Sequence, residues 1–387
     1  MRYSTFTNLM FKRFVHAYEQ KRPTRTVGVF GPPGTGKTAT STVLRDKITE
    51  YVRKQDQNAP EAICRVLDLS SMLPEDLLGL PFRDGDTTRY CPHSWLHELC
   101  KPEAYGVLVL DDLPAATPAM SVAARQLVLE RRVHDHRISD NVLIMVTGNR
   151  REDKSAASTL PAHFRNSILL MEVQLDIDEW AIWYGAQEGL NPVIPAFLRF
   201  KQEHLSKLPK DGAKDDRGAF ATPRSWAMLG AEFDIAEETE TTFEVARSLV
   251  GKGVATDFVG FVKIRNELVD PDKVLDDPQG SLPDPGKTLN RPDKIIAMST
   301  SLGEVAASRY KRGRGKKRDD APLKLLKALA WSTRENREYC GTGVHTFLAS
   351  AGGDSLAALL RIARTHRTDP VVGRLLVHLK SALLEGM

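Results

Sequence analysis

The chain has 387 residues, 41% hydrophobic and 27% charged, which leaves room for two or three packed cores and excludes fibrous and disordered classes. Lys+Arg 54 against Asp+Glu 50 gives a formal net charge of +4, so overall charge neither requires nor excludes a polyanionic partner. Four cysteines, Cys64, Cys91, Cys100 and Cys340, are too few for a disulfide framework in so long a chain and suit a reducing compartment.

From Met1 to Gln20, Arg2, Lys12, Arg13 and Glu19 interrupt the apolar residues, so no signal-peptide h-region is expected. The longest apolar stretches, 107–110 and 142–146, fall far short of a membrane span. A cytoplasmic chain with no membrane partner is the expectation. Short β-branched runs then recur at 26–30, 63–69, 106–110, 141–146 and 168–173. Each has the length of a buried strand, and continuous rather than alternating apolar character is what a parallel sheet covered on both faces needs. Helix-like segments such as 37–53 and 118–130 lie between them. This alternation predicts an α/β, doubly wound domain over residues 1–178.

Beyond residue 176 the β-branched runs stop, and 180–188, 194–208 and 223–236 read as helices, giving a smaller helical domain over 179–269. Residues 270–293, rich in Pro, Gly and Asp, predict an extended connector. A helical region, 294–387, follows, interrupted by a basic run and by Ala351-Gly-Gly-Asp354, and no internal repeat is evident.

Chemistry concentrates at the ends of the predicted strands. Directly after Phe30 come Gly31, Pro32, Pro33, Gly34, Thr35, Gly36, Lys37, Thr38 and Ala39, the spacing of a phosphate-binding loop. Glycines there let successive N–H groups face phosphate oxygens, Lys37 has the reach for β and γ phosphates, Thr38 can ligate Mg2+, and the following helix N-terminus adds partial positive charge. A strand ending in Asp111 and Asp112 supplies the carboxylate that a magnesium-bound triphosphate requires, with Asp112 placed to polarise water. On its own such an acidic pair is commonly a turn or a helix cap. A third strand ends in Thr147-Gly148-Asn149, whose amide offers both donor and acceptor to a lytic water or a γ phosphate. Arg165 and Arg224 follow, and a guanidinium suits the charge that develops on a transferring phosphoryl group.

The set of phosphate loop, acidic strand end, Asn149, an arginine near the fifth strand and Thr222-Pro-Arg224 resembles the AAA+ ATPases, and the finer pattern is similar to the MoxR-like branch. The phrases that carry the likeness are Leu127-Val-Leu-Glu-Arg-Arg-Val133, Val146-Thr-Gly-Asn149, Leu160-Pro-Ala162, Trp180-Ala-Ile-Trp183 and Ala221-Thr-Pro-Arg-Ser-Trp226. The match covers about residues 25–235. The resemblance implies a five-stranded parallel sheet with a helical lid, ATP and Mg2+ at subunit boundaries, a homo-oligomer that closes as a hexameric ring, and ATP hydrolysis coupled to remodelling or chaperoning of a protein client, such as a von Willebrand factor A-like protein. It assigns Lys37 and Thr38 to the phosphate loop, Thr38 and Asp111 to the metal side, Asn149 to the first sensor and Arg224 to the second sensor in the lid.

Two departures from the family pattern stand out. The second acid is usually Glu and is Asp112 here, one methylene shorter. The trans-acting arginine is usually found where this chain has Ser167; Arg165 lies two residues earlier, with Arg150 and Arg151 in reserve. These departures keep open an assembly switch with weak hydrolysis.

Other signals compete with bland alternatives. An Asp-Gly turn in 81–90 and the segment 131–140 predict surface hairpins, which the resemblance places against a pore or partner. Cys91, His93, His97 and Cys100 offer zinc ligands, but their spacing matches no familiar finger and Trp95 with Leu96 favours a packed helix. Arg309 to Arg318 holds seven basic residues and a tyrosine, which fits a solvated loop or a nucleic-acid backbone contact; the latter keeps open a DNA-dependent ATPase of replication or restriction. Trp180, Trp183 and Trp226 read as lid packing.

Overall fold

The computed structural model describes every residue except 151–159, 186, 188–190, 192, 209–217, 234–238, 314, 353, 367, 371, 374, 377, 378 and 380–387. The chain divides into two compact units, Met1–Leu175 and the residues from Asp176 onward.

In the first unit, in chain order, come α1 (Tyr3–Gln20), β1 (Val27–Phe30), α2 (Thr40–Arg53), β2 (Ile63–Asp68), α3 (Pro74–Leu78), β3 (Leu80–Asp84), β4 (Thr87–Cys91), α4 (Ser94–Leu99), β5 (Gly106–Asp111), α5 (Pro118–Glu130), β6 (Arg132–Val133), β7 (His136–Arg137), β8 (Val142–Gly148), α6 (Ala162–Arg165) and β9 (Leu169–Glu172). All five expected strands form one parallel sheet in the order β2-β5-β8-β1-β9. The central runs Val107–Leu110 and Val142–Val146 are buried throughout because helices cover both faces. Val27, Val29, Val107, Val109, Leu143 and Met145 face α1 and α2, whose Phe6, Met10, Phe14 and Leu44, Ile48, Val52 recur at helical spacing. Leu108, Leu110, Ile144 and Val146 face α5 through Met120, Ala124 and Leu127. Full burial of each such side chain stabilises by about 1.5–3 kcal/mol. The edge strands β2 and β9 are partly exposed, in contrast to the expected burial of all five, because each pairs on one side only. At the start of β5 the chain approaches β2 so closely that a Cβ on Gly106 (φ +146°) would lie 2.0 Å from the Ile63 carbonyl oxygen.

This order has a consequence for function. β1 lies between β8 and β9, so the connections leaving β1 and β8 run to opposite sides, which makes this the switch point beside which open α/β sheets bind ligands at the carboxyl ends of their strands. Those ends carry the phosphate loop, Asp111 and Asn149. Away from the sheet, β3 and β4 form an exposed antiparallel hairpin and β6 and β7 a short one, as the turn chemistry predicts. The two hairpins touch where Tyr90 stacks on His134, with ring centroids 4.0 Å apart.

The second unit is helical: α7 (Ile177–Gly185), α8 (Val193–Phe200), α9 (Pro223–Glu232), α10 (Thr239–Val250), α11 (Lys252–Asn266), α12 (Pro271–Asp276), α13 (Pro278–Ser281), α14 (Pro285–Thr288), α15 (Pro292–Arg312), α16 (Lys316–Ser332), α17 (Cys340–Ala351) and α18 (Ser355–Thr365). An aromatic cluster of Phe197, Trp226, Phe258 and Phe261 forms one core, and the Trp226 indole N–H donates to the His204 carbonyl at 2.7 Å. Trp180 is buried too, whereas Trp183 is 45% exposed and does not belong to the packing expected of it.

The expected connector at 270–293 is a correction. It folds as α12, α13 and α14, because Asp270, Asp277 and Asp284 each accept a backbone N–H from the first turn of a helix that begins with Pro. An Xaa-Pro step recurs every seven residues, at 271, 278, 285 and 292, and each proline opens a helix. Val274, Leu275, Leu282 and Leu289 from this stretch are buried with α15 to α17 in one core. A composition that favours turns therefore served helix starts.

Candidate nucleotide site at the strand ends

The loop that leaves β1 turns through two residues in the left-handed region, Gly34 (φ +70°) and Gly36 (φ +83°), where a side chain would be strained. This brings Lys37 back over the loop. Its ammonium is buried and donates to the carbonyls of Gly31 (2.9 Å) and Pro32 (2.8 Å) and to Asn149 Oδ1 (2.9 Å). Asn149 and Lys37 therefore meet at the tip of β8.

One residue on, the Thr38 hydroxyl donates to Asp111 Oδ2 at 2.9 Å. The other carboxylate oxygen accepts a hydrogen bond from Thr147. Thr147 is fully buried in β8, and its hydroxyl oxygen also accepts from the Asp112 backbone N–H at 3.4 Å. A single hydroxyl thus holds the Asp111 carboxylate and makes a weaker contact with the backbone of Asp112. In the sequence Thr147 stands out only as the residue two before Asn149; a hydroxyl at the end of the otherwise apolar run Val142–Val146 is the available signal of its role.

Asp112 takes a left-handed conformation (φ +54°) that ends β5 and turns the chain away from the sheet. Burial raises its carboxyl above the ordinary carboxylate range; the negative charges of Asp111 and, less strongly, Asp68 add to this, while Lys37 opposes it. Asp68 enters because β2 pairs with β5 in a register that sets Asp68 beside Asp111. A half-buried carboxyl with a raised pKa is a suitable proton acceptor. The Thr38 hydroxyl and the Asp111 carboxylate are hard oxygen donors already within hydrogen-bond reach of each other, which fits Mg2+ and its preference for oxygen ligands.

The arginines separate. Arg165 is exposed at the end of α6, just before β9. Arg150 pairs with Glu172 at the end of β9 within its own chain. Arg151 lies outside the described residues. Arg224 is exposed in the first turn of α9, in the second unit, where Thr222 and Ser225 close a capping box that fixes the helix start.

The packed helix expected within 91–100 is α4, and the basic run is tied down by ion pairs rather than forming a solvated loop. His93 lies against the Glu75 carbonyl at 3.1 Å, Leu96 and Leu99 are buried, and among the described residues no group of three metal ligands forms. The basic run is fastened at both ends: Arg309 pairs with Asp272 and Asp276 (2.7 Å each), and Arg318 pairs with Asp354 (2.6 Å) while its guanidinium lies 4.7 Å from the Tyr310 ring centroid. Between them Lys311 and Arg312 remain exposed.

Sheet, loop and acidic strand end together define an α/β P-loop fold followed by a helical region. No known family profile and no curated protein sequence matches the chain. Among solved structures it is similar to a DNA polymerase III gamma subunit-related protein from Thermotoga maritima (11% identity, 95% of this chain and 99% of that one, TM-score 0.29). Others are the RuvB Holliday junction branch migration motor of the same organism (12%, 77% and 81%, TM-score 0.33) and the ORC2 protein of Aeropyrum pernix in ADPNP–ADP complexes (12%, 95% and 85%, TM-score 0.32). Likenesses this distant add nothing about activity, so the functional reading rests on the geometry of the strand ends. No helix among the described residues is long and apolar enough to cross a membrane.

Proposed function

We propose that the chain is an AAA+ ATPase of MoxR-like type, binding ATP with Mg2+ and coupling its hydrolysis to remodelling of a protein partner. One observation carries this: the adjacent Lys37 and Thr38 each bond a residue distant in sequence, Lys37 to Asn149 and Thr38 to Asp111, at the carboxyl ends of neighbouring parallel strands. In this reading Gly31 to Ala39 wrap the phosphates and Lys37 neutralises the β and γ groups. Thr38 and Asp111 hold the metal, which screens phosphate charge when bound. Asp112 takes the proton of the attacking water, and Asn149 orients that water or the γ phosphate.

The remaining assignments are part of the same proposal. Arg165, exposed beside the edge strand β9, is assigned in this reading to the γ phosphate of a neighbouring subunit in a hexameric ring, and Arg224 to the second sensor in the lid; exposure of both side chains supports this. The exposed hairpin β3–β4, with Leu80 and Phe82 60% and 48% exposed, supports contact with a protein client, for which a von Willebrand factor A-like protein is the candidate. Ion pairing at both ends of the basic run weakens the alternative of a DNA-dependent motor.

Titration calorimetry with Mg-ATP, steady-state phosphate release and light scattering test the reading together. Binding and turnover in wild type that vanish in Lys37→Ala are the expected result. Absence of heat and turnover in folded wild type would refute it. Turnover indistinguishable from Lys37→Ala with ATP-dependent assembly intact would leave a nucleotide-gated switch instead, and stimulation by DNA would restore the motor reading.

A further inference from the structure

We infer that Tyr3, at the start of α1, is a positioning residue for the phosphate loop and acts through Thr35. The inference rests on the nucleotide reading of that loop. The Tyr3 hydroxyl donates to Thr35 Oγ1 at 2.7 Å, and Thr35 Oγ1 donates in turn to the Pro32 carbonyl at 2.8 Å. A threonine hydroxyl has one proton, here committed to Pro32, so toward Tyr3 it acts as acceptor and the direction of the relay is fixed. The Pro32 carbonyl also accepts from Lys37, which reaches on to Asn149. One hydrogen-bonded path therefore runs from α1 across the loop to the tip of β8.

The anchor is firm. Phe6, Met10 and Phe14 bury α1 against the sheet, and the Thr7 hydroxyl donates to the Tyr3 carbonyl at 2.9 Å within its first turn. A phenol is protonated, and so a donor, at neutral pH, and burial raises the Tyr3 pKa further. A lysine that serves a triphosphate gives up the Pro32 carbonyl. Thr35 is then the donor that keeps this carbonyl turned away from the phosphates, and Tyr3 holds Thr35 in that rotamer. Its contribution is preorganisation of the loop, which appears as affinity for a polyphosphate rather than as chemical rate.

The test uses full-length Tyr3→Phe, Thr35→Val and the double variant, with Mg-ATP as the probe in calorimetry and steady-state kinetics. Tyr3→Phe keeps the ring and removes the hydroxyl, and it raises Kd and KM by about 3- to 10-fold with kcat changed by less than about twofold. Thr35→Val weakens binding at least as much, and the double variant is no weaker than Thr35→Val alone, as expected when the tyrosine hydroxyl acts on the loop through that threonine. A tyrosine that merely packs would give no split between KM and kcat and independent losses in the double variant. Wild-type affinity in Tyr3→Phe, or additive losses, would overturn the inference. Thr35→Val leaves α1 intact, so unchanged affinity there overturns it even where Tyr3→Phe fails to fold. Wild type that binds Mg-ATP while Tyr3→Phe binds equally well removes Tyr3 alone, whereas wild type that does not bind removes the nucleotide reading itself.

Discussion

Replacing Thr147 by Val keeps the shape of a fully buried side chain and removes one hydroxyl, which makes it a sharp probe of the acidic strand end. That hydroxyl donates to an Asp111 oxygen and accepts from the Asp112 N–H, and no solvent reaches the side chain to replace it. Loss of a hydrogen bond to a charged acceptor costs about 1.5–3 kcal/mol, and the 3.4 Å contact from Asp112 is long enough to add little. A net cost of about 2 kcal/mol lowers the melting temperature of a unit this size by about 4–8 °C. Freed on one side, the Asp111 carboxylate also rotates away from Thr38, so turnover falls by about 10-fold for the same loss of orientation. Thermal unfolding followed by circular dichroism, with and without Mg-ATP, reads the first effect, and phosphate release reads the second. Thr147→Ser, which retains the hydroxyl, should recover much of the turnover. A valine variant with wild-type melting temperature and turnover would show that Asp111 does not depend on this contact, and the geometric argument for the metal side would fail with it.

Asp112→Asn should retain Mg-ATP binding in calorimetry and lose about 100-fold or more in turnover; normal turnover would remove Asp112 from the chemistry. The base works only when ionised, and its pKa is raised, so wild-type turnover should fall on acidification at a pH above the ordinary carboxylate range, a limb that Asp112→Asn lacks in a pH–rate profile. In the second unit, Arg309 and Lys324 hold the Asp276 carboxyl well below its ordinary range. A depressed folded-state pKa means stability present at neutral pH and lost as pH falls through the ordinary carboxylate range toward the lowered value. Arg309→Ala should cost about 1 kcal/mol at pH 7 once solvent screening of these half-exposed partners is allowed for, and the gap in melting temperature should close below about pH 4. A gap independent of pH would show that the loss is one of packing.

Local chemistry was legible in the residues themselves. Five apolar runs of strand length, a glycine-punctuated loop after the first, and acids or amides at the ends of others mark out the parallel sheet and most of the candidate site on its rim, because a strand buried on both faces must be apolar along its whole length. Composition alone does not distinguish a connector from helices at 270–293, since Asp-Pro serves a helix start as readily as a turn, and only burial of Val274, Leu275, Leu282 and Leu289 in a shared core decides between them. Nor does the basic run reveal its partners: Asp272, Asp276 and Asp354, 33 to 37 residues away from their arginines, take up both ends.

Contacts between distant segments belonged to the tertiary structure alone. Nothing around Tyr3 signals a phosphate loop, and the hydroxyl of Thr147 does not by itself name Asp111 as its partner, because hydrogen-bond partners 32 and 36 residues apart are set by helix packing and strand order rather than by spacing along the chain. Sequence determined which groups stand at the strand ends; the order β2-β5-β8-β1-β9 decided which of them meet, since parallel pairing brings strand ends together whatever length of chain separates them.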